Sequence, residues 1–142
     1  EIQRGSYDLA SERFKDAIEL NQRNDQAWAG LGLCFQQIGD FDLAFAAIEK
    51  SLDLNPINEV AITMLAQWAD RPDRIERLVS RLQAFLAKKS ADIEKSLMLA
   101  KVLVKLQRNL EARFELNKVL NLDPYRKDAK DMLLTLDRAV EV

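Results

Sequence analysis

Lys101 and Lys105 stand four residues apart, so on a helix they share one face. Two ammonium groups so placed can pair with a partner's carboxylates, but they make and break no bonds. Arg71 lies 34 residues before Lys105 and adds a third cation at the corresponding place. Met64, Met98 and Met132 are also spaced 34 apart and offer a soft apolar row. Groups suited to covalent chemistry are missing or poorly placed. The chain has no His, the commonest general base and metal ligand. Its Ser and Thr hydroxyls and its one thiol, Cys34, therefore have no imidazole to activate them. Cys34 sits beside Phe35 in a helical pattern and is expected to be a buried, inert thiol. A single Cys makes neither an internal disulfide nor a cysteine zinc site. Gly30-Leu31-Gly32 holds two glycines of a nucleotide loop without the third or the preceding strand. Asp40 and Asp42 fit the role of helix caps, and no acidic cluster has the spacing of a calcium loop. No catalytic residue, cofactor or metal ligand is expected, and the chain reads as a non-enzyme.

Elements must position these side chains, and the composition says which. Ala, Leu, Lys, Arg and Glu make up about half of the 142 residues, which with helical periodicity marks long helices. Val, Ile and Thr form no run long enough for a sheet. No apolar stretch approaches the roughly 20 residues that span a bilayer, so no membrane insertion is expected. A net charge of −2 argues against general nucleic-acid binding. The first residue is Glu1, with no charged leader or apolar signal core after it. The chain is expected to be a piece of a larger protein, with the cytoplasm as default compartment.

Self-similarity organises the rest. Gly5 and Gly39, Leu9 and Leu43, Ala10 and Ala44, and Asn21 and Asn55 are each 34 apart. Pro56 and Pro124, Leu31 and Leu99, and Ala44 and Ala112 are twice that. One register holds them all, with cycles at 25–58, 59–92 and 93–126. A partial cycle at 1–24 and a capping helix at 127–142 complete one expected domain over 1–142. In the first full cycle, apolar Ala27, Trp28, Leu31, Cys34, Phe35 and Ile38 predict a helix to about Gln37. Gly39-Asp40 breaks it, and a second helix is predicted from about Phe41 to Leu54, ended by Asn55-Pro56. In 59–92, Asp70-Arg71-Pro72-Asp73 predicts an early turn and a longer second helix opened by Pro72 or Asp73. At the start, residues 1–4 are expected to be the tail of one helix, with the next at about 6–20. Regular breaks at Gly39, Pro56, Pro72 and Pro124 exclude a single coiled coil.

Trp28, Leu31-Gly32, Phe35, Gly39, Ala44 and Pro56 lie at signature places of the tetratricopeptide repeat, which this chain resembles. Leu99-Ala100, Leu103, Ala112 and Pro124 repeat the match, as do Gly5, Tyr7, Ala10, Phe14 and Ala17. The resemblance implies an all-α fold, a right-handed α-solenoid of antiparallel helix pairs whose first helices line a concave groove. Candidate groove residues are then Leu33, Gln37, Met64, Gln67, Arg71, Leu97, Met98, Lys101 and Lys105, with Gln26, Ala29, Val60 and Thr63 on the same stripes. Chaperone-tail clamps of this family place cations and Asn where this chain has Ala29, Leu33, Met64, Glu94 and Met98, so that subfamily is excluded.

The implied function is a scaffold that binds a protein or peptide in the groove, with apolar and acidic residues on the partner. Two alternatives remain: self-association into a homo-oligomer, and a targeting or regulatory array attached to an enzyme in the parent chain. Charge is uneven: residues 1–58 carry net −5, 59–126 net +4, and the last 16 net −1. Arg74, Arg77 and Arg81 are expected to form a solvated stripe on an outer helix.

Overall fold

The computed structural model describes the backbone of residues 2–141 and the side chains of residues 5–138. Among the described residues there are eight helices and no strand. They fall into two compact units, residues 1–69 and 70–142.

The first unit holds α1 (Ile2–Leu20), α2 (Asp25–Ile38), α3 (Phe41–Leu54) and α4 (Glu59–Trp68). The two-residue link between α2 and α3 turns the chain back on itself. Gly39 takes φ 99°, a left-handed value that glycine adopts without penalty. Its N–H donates to the Phe35 carbonyl at 3.0 Å. Asp40 then accepts from the Leu43 N–H through Oδ1 at 3.3 Å and opens α3. Ala27, Leu31, Cys34, Ala44, Ile48 and Leu52 bury the facing sides of this pair. Gly5, paired in the sequence with Gly39, behaves differently: it stands inside α1, which runs unbroken from Ile2. Residues 2–4 therefore belong to α1 and are not the tail of a preceding helix. A lone Gly is tolerated in a helix at about 1 kcal/mol relative to Ala, so the residue type alone does not force a break.

The second unit holds α5 (Pro72–Lys88), α6 (Ile93–Lys105), α7 (Asn109–Leu122) and α8 (Lys127–Glu141). Pro72 opens the 17-residue α5, after an extended Arg71 at φ −125°. Proline suits that place because the first helical N–H has no intrahelical partner. The α6–α7 link reuses the left-handed turn, here with Gln107 at φ 60°. Leu78, Leu82, Phe85, Leu99, Leu103, Leu116, Val119 and Ala129 are buried in this unit.

The turns before α2, α4, α6 and α8 are built alike, 34 residues apart. The N–H groups of Asn24, Asn58, Asp92 and Arg126 donate to the carbonyls of Asn21, Asn55, Lys89 and Asp123 at 3.1–3.3 Å. Asn24, Asn58 and Asp92 then cap their helices by accepting from Ala27, Ala61 and Lys95. Each turn thus satisfies donors that a helix start otherwise leaves orphaned.

Crossing of α2 and α3 depends on Gly32. A Cβ there would stand 2.8 Å from Ile48 Cδ1, 2.9 Å from Ile48 Cγ1 and 3.2 Å from the Ala44 carbonyl oxygen. Ile48 is fully buried and Ala44 O is backbone, so neither moves away freely. Gly32→Ala gains about 1 kcal/mol of helix propensity against an overpacking cost of about 1–3 kcal/mol. A net destabilisation is expected in urea unfolding; a raised midpoint would show that the pair can spread.

Candidate functional site

Exposed residues of α2, α4 and α6 fall on stripes with the spacing of a helix face. On α2 the stripe is Gln26, Leu33 and Gln37, with Leu33 42% exposed and Gly30 half-buried among them. On α4 it includes Val60 and Gln67. On α6 it is Glu94, Met98, Lys101 and Lys105, with the Met98 side chain half-buried. Arg71, immediately before α5, is exposed and lies 3.7 Å from Asp73.

Two expected groove residues do not reach the surface. Met64 is 6% exposed and Leu97 is 2% exposed, so both serve as core and offer a partner almost no area. Ala29, at the position of α2 matching Leu97, is buried as well. For Leu97 and Ala29 the reason is phase. One helical residue turns through about 100°, and the open face of α2 passes through Gly30 rather than Ala29. Gly30 itself is half-buried. It lies 68 residues before Met98, which is half-buried on the α6 stripe. It is also where Phe14 of α1 packs, since a Cβ on Gly30 would fall within 2.9 Å of three ring atoms.

The charges on α6 are sorted by their neighbours. Arg126 donates from Nη2 to Glu94 Oε1 at 2.6 Å and from Nε to Asp128 Oδ1 at 2.9 Å. Glu94 is thereby neutralised at one end of the stripe. Lys101 and Lys105 form no ion pair among the described residues, and Lys101 acts on Asp128 only through its field. Two exposed ammonium groups are what this face presents. Arg108 forms a similar fork on Glu111, at 2.9 and 2.6 Å, and reaches Glu76 at 3.2 Å. Arg74 of the expected arginine stripe pairs with Asp70 at 3.6 Å. Arg77 and Arg81 are also engaged, so that stripe is not simply solvated.

These pairs set an acid response. The hydrogen bond from Arg126 holds the Asp128 carboxyl below its usual range, and Arg108 does the same for Glu111. Carboxyls depressed on folding add stability above their unfolded pKa, about 4. That contribution is lost as pH falls through the folded values. Melting temperature is expected to drop below about pH 4, and Arg126→Gln is expected to flatten the drop. An unchanged slope in the variant would remove the pair from the account.

Cys34 is buried, and burial pushes its thiol up, away from the reactive thiolate. Among the described residues, no three His, Cys, Asp or Glu are grouped to hold a metal. No helix among them is long and apolar enough to cross a membrane.

Residues 25–58 match the model of the tetratricopeptide repeat family. Over 65 residues, 46% of this chain, the sequence is 32% identical to anaphase-promoting complex subunit 3 of Schizosaccharomyces pombe. The match covers 10% of that protein, so the chain spans a small part of the curated relative's length. The solved structure of MamA superposes at TM-score 0.70 with 17% identity, covering 98% of this chain and 81% of that one. The first such domain of Spaghetti (RPAP3), bound to an HSP90 peptide, superposes at 0.62 with 21% identity, covering 83% and 94%. Tetratricopeptide repeats generally mediate protein–protein interaction, and scaffolds built from them are typically non-enzymatic. Residues 25–58 are a tetratricopeptide repeat, in a chain with the all-α helical-repeat fold of the tetratricopeptide-repeat solenoids.

Proposed function

We propose that the chain is a protein-interaction module that binds partner segments on the exposed stripes of α2, α4 and α6. The binding residues are Leu33, Gln37 and Gln67 in the first unit, and Arg71, Met98, Lys101 and Lys105 in the second. Met64 and Leu97 support them from beneath. The repeat partition at 25–58, 59–92 and 93–126, with α8 capping α7, is proposed with it.

One observation carries this reading. Lys101 and Lys105 are exposed on one helix face, beside Met98, with no ion pair of their own among the described residues. This face of α6 thus combines an apolar contact with two cations free to meet carboxylates. A leucine- and glutamate-bearing segment is complementary to it. Binding of a peptide by the similar domain of Spaghetti (RPAP3) supports the mode but not the partner's identity. The test is a titration with a capped peptide of leucine and glutamate, comparing the native chain with Lys101→Glu/Lys105→Glu.

A further inference from the structure

Two hollows open side by side on the first unit. One, of about 480 Å³, lies between α1 and α2, and the other, of about 470 Å³, lies at the α2–α3 turn. Ile38 and Asp40 line both, so the two form one continuous groove. Leu9 and Phe41 stand in it 58% and 57% exposed. Covering them removes apolar area from water.

The groove is rimmed by carboxylates, and two of these are available. Lys15, the one cation among the described lining residues, is paired with Glu12 at 3.4 Å. Asp40 caps α3. Asp8 and Asp42 are exposed, and their carboxylates receive no hydrogen bond or ion pair among the described residues.

The complement is present in the same chain. On α6, half-buried Met98 stands beside exposed Lys101 and Lys105, neither in an ion pair among the described residues. The charge balance follows the same division. Residues 1–69 hold 5 Lys and Arg against 11 Asp and Glu, net −6, and residues 70–142 hold 16 against 12, net +4. Two copies therefore attract when the first unit of one approaches the second unit of the other, and repel when like units meet.

We infer that the α6 face binds the acid-rimmed groove of a second copy of this chain. Asp8 and Asp42 meet Lys101 and Lys105, and Leu9 and Phe41 cover Met98. Asp8-Leu9 of α1 is itself an apolar, carboxylate-bearing segment of the kind the α6 face is complementary to. The α6 half of this contact rests on the protein-binding reading above, and the identity of the partner goes beyond it. The two surfaces differ, so the contact is heterologous and each added copy offers one of each for the next.

Sedimentation velocity of the native chain at concentrations up to about 1 mM is the test. The mean mass is expected to rise with concentration and to fall back in high salt, where exposed charges are screened. Lys101→Glu/Lys105→Glu and Asp8→Lys/Asp42→Lys are each expected to weaken association at least about tenfold, with circular dichroism unchanged. An equimolar mixture of the two variants is expected to associate again, because each then carries two faces of one sign, opposite to the other's. A variant that had merely lost its fold does not regain association on mixing. A native chain that stays monomeric, association untouched by either reversal, or a mixture that stays monomeric would overturn the inference. Failure of the protein-binding reading shows separately. Asp8→Lys/Asp42→Lys leaves the α6 face intact, so the leucine–glutamate peptide binds this variant if that reading holds, whether or not the native chain self-associates.

Discussion

Phe85→Ala is expected to remove about 3–5 kcal/mol of stability, the usual loss for emptying a fully buried phenylalanine site. Phe85 has no exposed surface and heads the fully buried side chains by volume. It lies on α5 and supports α6 through Lys95, whose ammonium sits 4.8 Å from the ring centroid. Lys95 is only 8% exposed, so the ring is also part of what shelters a buried cation. Truncation leaves a cavity and takes the aromatic face away from that charge. A domain of this size has about 5–15 kcal/mol in total, so a large share is at stake. Hydrogen exchange should show α5 and α6 losing protection first, because helical-repeat elements depend mainly on their neighbours. A loss below about 1 kcal/mol in urea unfolding would mean that the site collapses around the smaller side chain.

Helix positions in this protein were legible because local chemistry punctuates them. Gly39-Asp40, Asn55-Pro56 and Pro72 each impose a backbone preference that no neighbour needs to enforce. The structure ends α2 at Ile38, opens α3 at Phe41 and starts α5 at Pro72 accordingly. Gly5 misled because the same residue type has no such power without a left-handed turn around it. The caps at Asn24, Asn58 and Asp92 carry the 34-residue period as clearly as the apolar residues do.

The candidate site was legible only in part. Helical spacing fixed which residues share a face, so Leu33 with Gln37 and Lys101 with Lys105 came out together and exposed. It did not fix the rotation of that face against neighbouring helices. An error of one residue turns the face by about 100°, enough to carry Leu97 and Ala29 from groove to core. Side-chain pairing across loops is equally absent from a periodic pattern. Nothing in the spacing of Glu94 and Arg126 announces the 2.6 Å bond that neutralises one end of the α6 stripe.

The second large effect concerns binding. Reversing both charges in Lys101→Glu/Lys105→Glu replaces two attractions with two repulsions toward a carboxylate-bearing segment. Exposed ion pairs contribute up to about 1 kcal/mol each, and like-charge juxtaposition adds a cost of its own. Together they are expected to weaken binding at least about tenfold. Both side chains are exposed and form no ion pair among the described residues, so the fold should not depend on them. Helicity and unfolding midpoint are expected to stay near the native values, which separates lost contact from lost structure.

The decisive experiment is calorimetric titration of the leucine–glutamate peptide into the native and charge-reversed chains. Measurable binding to the native chain is expected, weakened at least about tenfold by the reversal with the circular dichroism spectrum unchanged. Equal affinity for the two chains would show that Lys101 and Lys105 do not meet the peptide.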